Sequence, residues 1–219
     1  MKKFFALFFV MALLMTAIPC GASYNFDAEL YSIELPDDFD LVGENEFISD
    51  KGDAFSVSYE ENTDKFCIAD LSEEDMKSYV ENLAAEGARA FKSLDLNGNM
   101  QVVSYKKIEN LNRKTALEIV FKTSLKREES ETVRLQKIYL FSGEENKYTF
   151  TYTAKNEKDI NAFDEAFSTI VINEKQIEGK NDSLVTLGMC AVIVALILVG
   201  VIKFVIRTPY RKQQGNKCK

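Results

Sequence analysis

An apolar run near the C-terminus constrains this chain more than any other feature. Residues 184–202 are apolar apart from Thr186, and the run resumes at residues 204–206 after Lys203. An α-helix rises 1.5 Å per residue, so a span ending at residue 202 or 206 is about 29 or 34 Å long. Those lengths bracket the roughly 30 Å hydrocarbon core of a bilayer. The sequence therefore predicts one transmembrane helix over residues 183–206.

Charge predicts the orientation of this helix. The tail after it, residues 207–219, contains basic residues and no acid. Basic segments stay on the cytoplasmic side of membranes, so we expect a cytoplasmic tail and an extracellular N-terminal domain in a single-pass protein of the cell membrane. So short a basic tail predicts no nucleic-acid partner. The residues expected at the inner membrane interface are Lys203, Arg207, Arg211 and Lys212.

The N-terminus, residues 1–23, has the pattern of a secretory signal peptide. Two lysines precede an apolar run over residues 4–15, which Pro19 ends. We expect cleavage after Ala22 or the serine that follows it. Two alternatives stay open: the run remains as an uncleaved anchor, or a lipid is attached to Cys20. The proline before this cysteine disfavours lipid attachment, because that site needs a small residue.

The segment between the two apolar ends is strongly acidic. Residues 24–182 contain 19 Lys and Arg against all 34 Asp and Glu, a net charge of −15, whereas the whole chain carries −7. We divide this segment into a folded domain, residues 24–172, and a polar stalk, residues 173–182. Cys67 is the domain's lone cysteine, so no internal disulfide is expected and an apolar core must hold the fold.

Alternation and turn residues predict an α+β domain, an antiparallel sheet covered by helices. The short breaks between strands favour antiparallel neighbours. Ser72 and Asp75 are typical of a helix start, and an apolar stripe at helical spacing follows. The predicted strands are residues 30–35, 55–59, 66–69, 101–108, 115–125, 132–141 and 147–153, with helices from Ser72 to about residue 91 and over 158–169.

Three short motifs resemble the PsbP-like superfamily. They are Tyr31-x-Ile33-x-x-Pro36-x-x-Phe39, the helix start Leu71–Ser–Glu–Glu74, and Phe163-x-x-x-Phe167. This superfamily includes the photosystem II extrinsic protein and many bacterial secreted or lipid-anchored domains. The resemblance, which covers about residues 28–171, implies a non-enzymatic accessory or binding module. Photosynthetic members use basic and histidine residues on their partner, and since this chain has no histidine, no functional residue carries over.

The absence of histidine excludes the Ser–His–Asp and Cys–His arrangements of hydrolases. A zinc site would need several Cys or His residues, and the sequence contains neither a phosphate-binding loop nor a nucleophile elbow. We therefore predict no catalytic, cofactor-binding or metal-binding residues. Cys67, Tyr148 and Tyr152 are interpreted as core residues.

Two acidic turns leave a calcium site as an alternative. Asp37, Asp38 and Asp40 form one group and Asp50 and Asp53 form another, but neither matches an EF-hand loop. Solvated turns that bind their own backbone are the favoured interpretation.

The function expected from these patterns is a bacterial membrane-anchored accessory or binding module without catalytic activity. Its partner would be an envelope protein or a cationic wall component, and no cofactor is expected. Two alternatives stay open, a carboxylate-dependent hydrolase of envelope glycans and an extracytoplasmic sensor subunit.

Overall fold

A computed structural model describes residues 23–111, 114–127 and 130–177. Its ten strands and two α-helices are β1 (Ser23–Asp27), β2 (Tyr31–Pro36), β3 (Phe39–Leu41), β4 (Glu46–Ser49), β5 (Ala54–Glu61), α1 (Glu73–Ser93), β6 (Asn97–Leu111), β7 (Lys114–Arg127), β8 (Ser130–Ser142), β9 (Asn146–Ala154), α2 (Asp164–Ser168) and β10 (Val171–Ile172). Short 3-10 helices occupy Ile68–Asp70 and Glu157–Asp159.

The strands form two antiparallel sheets. The large sheet has seven strands in the order β3-β4-β5-β9-β8-β7-β6, and the small sheet has the order β1-β2-β10. Strands β6, β7, β8 and β9 pair in chain order as antiparallel neighbours, as the sequence predicts. The predicted α+β class is confirmed at this level, a domain of antiparallel sheets with few helices.

Helix α1 covers one face of the large sheet. Ser72 and Asp75 form a capping box at its start, with the Asp75 backbone N–H donating to Ser72 Oγ at 3.1 Å. Its buried side packs on alternate residues of β7 and β8, such as Leu117 and Ile138. Gly87 lets the helix lie close to β6, because a Cβ there would lie 2.3 Å from Met100 Sδ. The predicted apolar stripe is confirmed: Met76, Val80, Leu83, Gly87 and Phe91 are all buried.

The small sheet and α2 cover the opposite face of the large sheet. An aromatic cluster fills the space between them, and the Tyr152 and Phe163 rings stack with centroids 4.8 Å apart. The predicted burial of Tyr148 and Tyr152 is confirmed, at 0% and 1% exposure. Residues of the PsbP-like motifs belong to this cluster, namely Tyr31, Ile33, Phe39, Phe163 and Phe167.

Three sequence-based predictions of local structure need correction. Residues 66–69 form no strand: the Asn62 side chain binds both the N–H and the C=O of Phe66, at 2.8 and 3.0 Å, and so turns the chain into the 3-10 helix. The helix predicted over 158–169 is interrupted by a turn, in which the Ala162 N–H donates to Asp159 O. Helices cover one face and only part of the other, because β1 and β10 flank β2 in a second sheet.

Candidate functional site

The two acidic turns singled out in the sequence lie together at one end of the large sheet. The Asp50 N–H donates to Asp38 O at 3.0 Å, which joins the β4–β5 turn to the β2–β3 turn. Lys155, just after β9, donates through its backbone N–H to Asp53 Oδ1 at 2.7 Å and through Nζ to Lys51 O at 3.0 Å. We call this end, formed by residues 37–40, 50–53 and 155–159, the acidic end.

Part of the charge at the acidic end is neutralised internally. Lys51 Nζ lies 3.1 Å from Asp38 Oδ2. The hydrogen bond to Asp38 raises the pKa of Lys51, and the carboxylates of Asp53 and Asp159 raise it further. Asp53 is buried, and its Oδ1 accepts the backbone N–H of Lys155, which follows β9. Asp38 and Asp53 therefore hold the turns through an ion pair and a contact distant in the chain, whereas the favoured interpretation of the sequence expects turns that bind their own backbone.

Three other carboxylates at the acidic end are open to solvent. Asp37, Asp40 and Asp50 are exposed, and none forms an ion pair with a Lys or Arg that the structure describes. Among the described residues, no group of three or more His, Cys, Asp or Glu is arranged to hold a metal ion. Exposed carboxylates on adjoining turns are suited to attract the ammonium or guanidinium groups of a cationic partner.

The charge is segregated along the chain and across the sheet. Residues 23–61, which form β1 to β5, contain one basic residue, Lys51, and twelve acids: Asp27, Glu29, Glu34, Asp37, Asp38, Asp40, Glu44, Glu46, Asp50, Asp53, Glu60 and Glu61. Strands β6 to β8 contain eight basic residues and three acids. Strand order places β3 and β6 at opposite edges of the large sheet. The surface contributed by β1 to β5, which we call the acidic surface, therefore carries most of the excess negative charge of residues 24–182, −11 of −15.

A second charged group, centred on the buried side chains of Glu118 and Tyr139, lies under α2. The Tyr139 hydroxyl donates to Glu118 Oε2 at 2.5 Å, and Lys106 Nζ lies 3.1 Å from Glu118 Oε1. Burial raises the pKa of Tyr139, and the adjacent Glu118 carboxylate raises it further. Both oxygens of this carboxylate have partners, so the group suits a structural role rather than that of a general base.

Lys137 extends the buried group towards α2. It is 3% exposed, and its Nζ donates to Asp164 Oδ1 at 2.6 Å and Asn161 Oδ1 at 2.7 Å. No local pattern in the sequence predicts this contact, because Lys137 and Asp164 are 27 residues apart. Strand alternation correctly places Glu118 on the face opposite Leu117, but α2 and the small sheet cover that face instead of leaving it solvated.

A pair of carboxylates meets at Lys147. Lys147 Nζ lies 3.0 Å from Asp64 Oδ1 and 3.4 Å from Glu60 Oε1. Lys147 and Glu60 are close enough for an ion pair, but Glu60 Oε1 forms no hydrogen bond with the ammonium group. Since a nearly buried ammonium lies between these carboxylates, they are suited to hold the loop after β5 against β9.

The remaining residues singled out in the sequence lie apart from the acidic end or outside the described residues. Cys67 is buried, and burial raises the pKa of its thiol. Within residues 23–111, 114–127 and 130–177, no helix is both long and apolar enough to cross a membrane. Of the signal peptide predicted over residues 1–23, the structure describes only Ser23, in β1. The rest of it, the predicted span 183–206 and the residues Lys203, Arg207, Arg211 and Lys212 lie outside the part that the structure describes.

Comparisons with known proteins give similarity in structure alone. No family model matches the sequence, and no curated protein matches it. The structure is similar to the solution structure of cyanobacterial PsbP (CyanoP) from Synechocystis sp. PCC 6803, with a TM-score of 0.45 and 9% identity over 71% of this chain and 95% of that one. It is also similar to a crystal structure from Bacteroides thetaiotaomicron VPI-5482, with a TM-score of 0.41 and 11% identity over 70% of this chain; the match spans about half, 49%, of that chain. The first of these structures is of a PsbP protein, and the motifs in this sequence resemble the PsbP-like superfamily. Both similarities concern the fold alone.

Proposed function

We propose that this chain is a membrane-anchored extracytoplasmic accessory or binding module without catalytic activity, whose acidic surface engages a cationic envelope protein or wall component. The observation that carries this proposal is the segregation of charge. Twelve acids and one lysine lie within β1 to β5 and their turns, and three carboxylates at the acidic end are exposed without ion pairs among the described residues.

The distribution of buried charge supports a binding role over a catalytic one. Catalysis by carboxylates needs a carboxyl group that is free to exchange a proton with a bound substrate. Glu118 is held at both oxygens, and Asp64 and Glu60 share Lys147. These groups are committed to internal contacts that stabilise the sheet, while the exposed carboxylates lie on the surface.

Membrane anchoring is the second part of the proposal and rests on the sequence. The apolar run over residues 184–202 and the acid-free basic tail after it support a single span with the acidic domain outside the cell. A partner of the acidic surface would then belong to the envelope. Exposed charges interact over a Debye length of about 8 Å at physiological ionic strength, so binding should weaken as salt is added.

The test uses the full-length protein in lipid nanodiscs as bait for extracts of the producing cell's envelope. The triple variant Asp37→Asn/Asp40→Asn/Asp50→Asn removes the exposed charges of the acidic end. Exposed ion pairs are worth about 0.2–1 kcal/mol each, so losing three should weaken partner binding roughly tenfold. The affinity of the recovered partner is then measured at low and at physiological salt.

A matched variant separates this surface from net charge. Glu81→Gln/Glu109→Gln/Glu131→Gln removes the same charge from exposed positions on α1, β6 and β8, and it should retain the partner. Equal affinity of both variants for the partner would refute the role of the acidic end. Failure of the wild-type protein to recover any partner at low salt would refute the binding function.

A further inference from the structure

The first residues of the predicted stalk are fastened to the domain. The Asn173 N–H donates to Leu30 O at 3.0 Å, and its side-chain amide donates to Glu29 O at 3.1 Å. Both acceptors lie in the turn between β1 and β2. We call residues 173–177 the docked segment.

Glu174 binds the turn between β8 and β9. Its Oε2 accepts the Glu145 N–H at 3.0 Å, and its Oε1 accepts the Asn146 N–H at 3.1 Å. Gly143 makes this approach possible, because a Cβ at that position would lie 2.1 Å from Glu174 Oε1. The carboxylate thus satisfies two backbone donors that the turn itself leaves free.

Gln176 forms a second attachment, to the start of β7. Its Oε1 accepts the Thr115 N–H at 2.7 Å, and its Nε2 donates to Thr115 O at 2.8 Å. Backbone bonds extend the contact, since the Glu144 N–H donates to Lys175 O at 3.0 Å. The docked segment therefore spans the ends of β7, β8 and β9.

This attachment lies at the opposite end of the sheet from the acidic end. Strand β9 begins beside the docked segment at Asn146 and ends at Ala154, next to the acidic end. A strand rises about 3.3 Å per residue, so the two ends are about 27 Å apart. The chain leaves the described part of the domain at residue 177, which fixes its exit point on one end of the sheet.

We infer that the docked segment orients the domain on the membrane, so that the β8–β9 turn faces the bilayer and the acidic end points away from it. This inference rests on the membrane anchoring proposed above. Residues 178–182 separate the docked segment from the predicted span, and the six steps from residue 177 to residue 183 reach at most about 22 Å when fully extended. This reach is shorter than the distance between the two ends, so the domain cannot stand upside down, with its acidic end on the bilayer and its β8–β9 turn pointing away, while residues 173–177 stay attached. A partner would thus meet the acidic end from the wall side.

The test is paramagnetic relaxation in the full-length protein, reconstituted in phosphatidylcholine nanodiscs that contain a lipid with a gadolinium-chelate headgroup. The effect falls with the sixth power of distance. Over the length of β9 it should therefore be at least about tenfold stronger for amides of residues 143–146 than for those of residues 50–53. The double variant Glu174→Ala/Gln176→Ala should reduce this ratio severalfold. Lys175→Ala should leave it unchanged, because Lys175 contacts the turn through its backbone.

Each outcome is decisive. Equal relaxation at both ends of the wild-type domain would show free reorientation and overturn the inference, as would a stronger effect at residues 50–53. An unchanged ratio in the double variant, with its amide spectrum still that of a folded domain, would overturn the role of the docked segment. Flotation with liposomes checks the anchoring itself: if the wild-type chain does not float, both the proposed anchoring and this inference fail.

Discussion

The ion pair between Lys137 and Asp164 should respond very differently to the loss of either partner. The Lys137 side chain is 4% exposed, whereas that of Asp164 is 48% exposed. Removing Asp164 leaves a buried ammonium with Asn161 as its remaining acceptor. Removing Lys137 leaves a carboxylate that water can solvate. The two substitutions delete the same contact but leave different groups behind.

The burial of each side chain sets the expected loss of unfolding free energy. Removing one partner of a buried ion pair costs about 3–5 kcal/mol, because the other charge stays buried. Since Asp164 is half exposed and water can enter in its place, we expect about 3 kcal/mol for Asp164→Ala. Lys137→Met keeps the buried aliphatic stem and leaves no buried charge, so we expect about 1 kcal/mol. At this chain length those losses lower the midpoint temperature by about 6–12 °C and about 2–4 °C.

The assay is denaturant unfolding of the full-length protein in mild detergent, followed by tyrosine fluorescence. The double variant Lys137→Met/Asp164→Ala should be about as stable as Lys137→Met alone, which gives a coupling free energy of about 2–3 kcal/mol. Equal losses for the two single variants, or a larger loss for Lys137→Met, would refute the reasoning from burial.

Three further predictions concern the helix, a close contact and pH. Ser72→Ala should cost about 1 kcal/mol in unfolding free energy through loss of the α1 cap, whereas Ser78→Ala, at an exposed helical position, should change it by less than about 0.5 kcal/mol. Gly98→Ala should cost about 1–3 kcal/mol, because its Cβ would lie 2.6 Å from Cγ of the buried Phe91 ring. Gly43→Ala should cost less, because its Cβ would lie 3.0 Å from Glu46 Oε2 and 3.2 Å from Glu46 Cβ. Burial raises the pKa of four tyrosine hydroxyls, so the stability they confer is fully present below about pH 10 and is lost as pH rises further. The four are Tyr31, Tyr139, Tyr148 and Tyr152. The phenolate absorbance of these four residues should appear only as the protein unfolds. Its appearance in the folded state would contradict their burial.

Elements with strong periodicity could be predicted from the sequence. Helix α1 has both a capping box and an apolar stripe, and β6 to β9 combine alternation with short polar breaks. These signals are local, so they survive without knowledge of the tertiary contacts. The helix begins at Glu73, one residue after the predicted cap at Ser72.

Short elements could not be predicted, because they form through tertiary contacts that the sequence pattern does not reveal. Strands β3 and β10 are three and two residues long and exist because they pair with β4 and β2. The turn after Asn62 replaces a predicted strand, because one buried amide satisfies two backbone groups of Phe66. A hydrophobic pattern gives no sign of such side-chain bonds.

The candidate site was only partly visible in the sequence. The acidic turns around Asp37 and Asp50 are evident from composition, but their contact depends on the pairing of β3 with β4. Lys137 and Glu118 look like ordinary solvent-facing residues of alternating strands. Their burial follows from the packing of α2 and the small sheet on that face, which involves residues distant in the chain.

The membrane topology that places the acidic surface in the envelope can be tested by labelling thiols on intact cells. Asp50→Cys introduces a thiol at the exposed acidic end, and Cys218 lies in the predicted cytoplasmic tail. A membrane-impermeant maleimide should modify the Asp50→Cys thiol in intact cells and Cys218 only after the membrane is opened. Labelling of Cys218 in intact cells, with the Asp50→Cys thiol protected, would contradict the account.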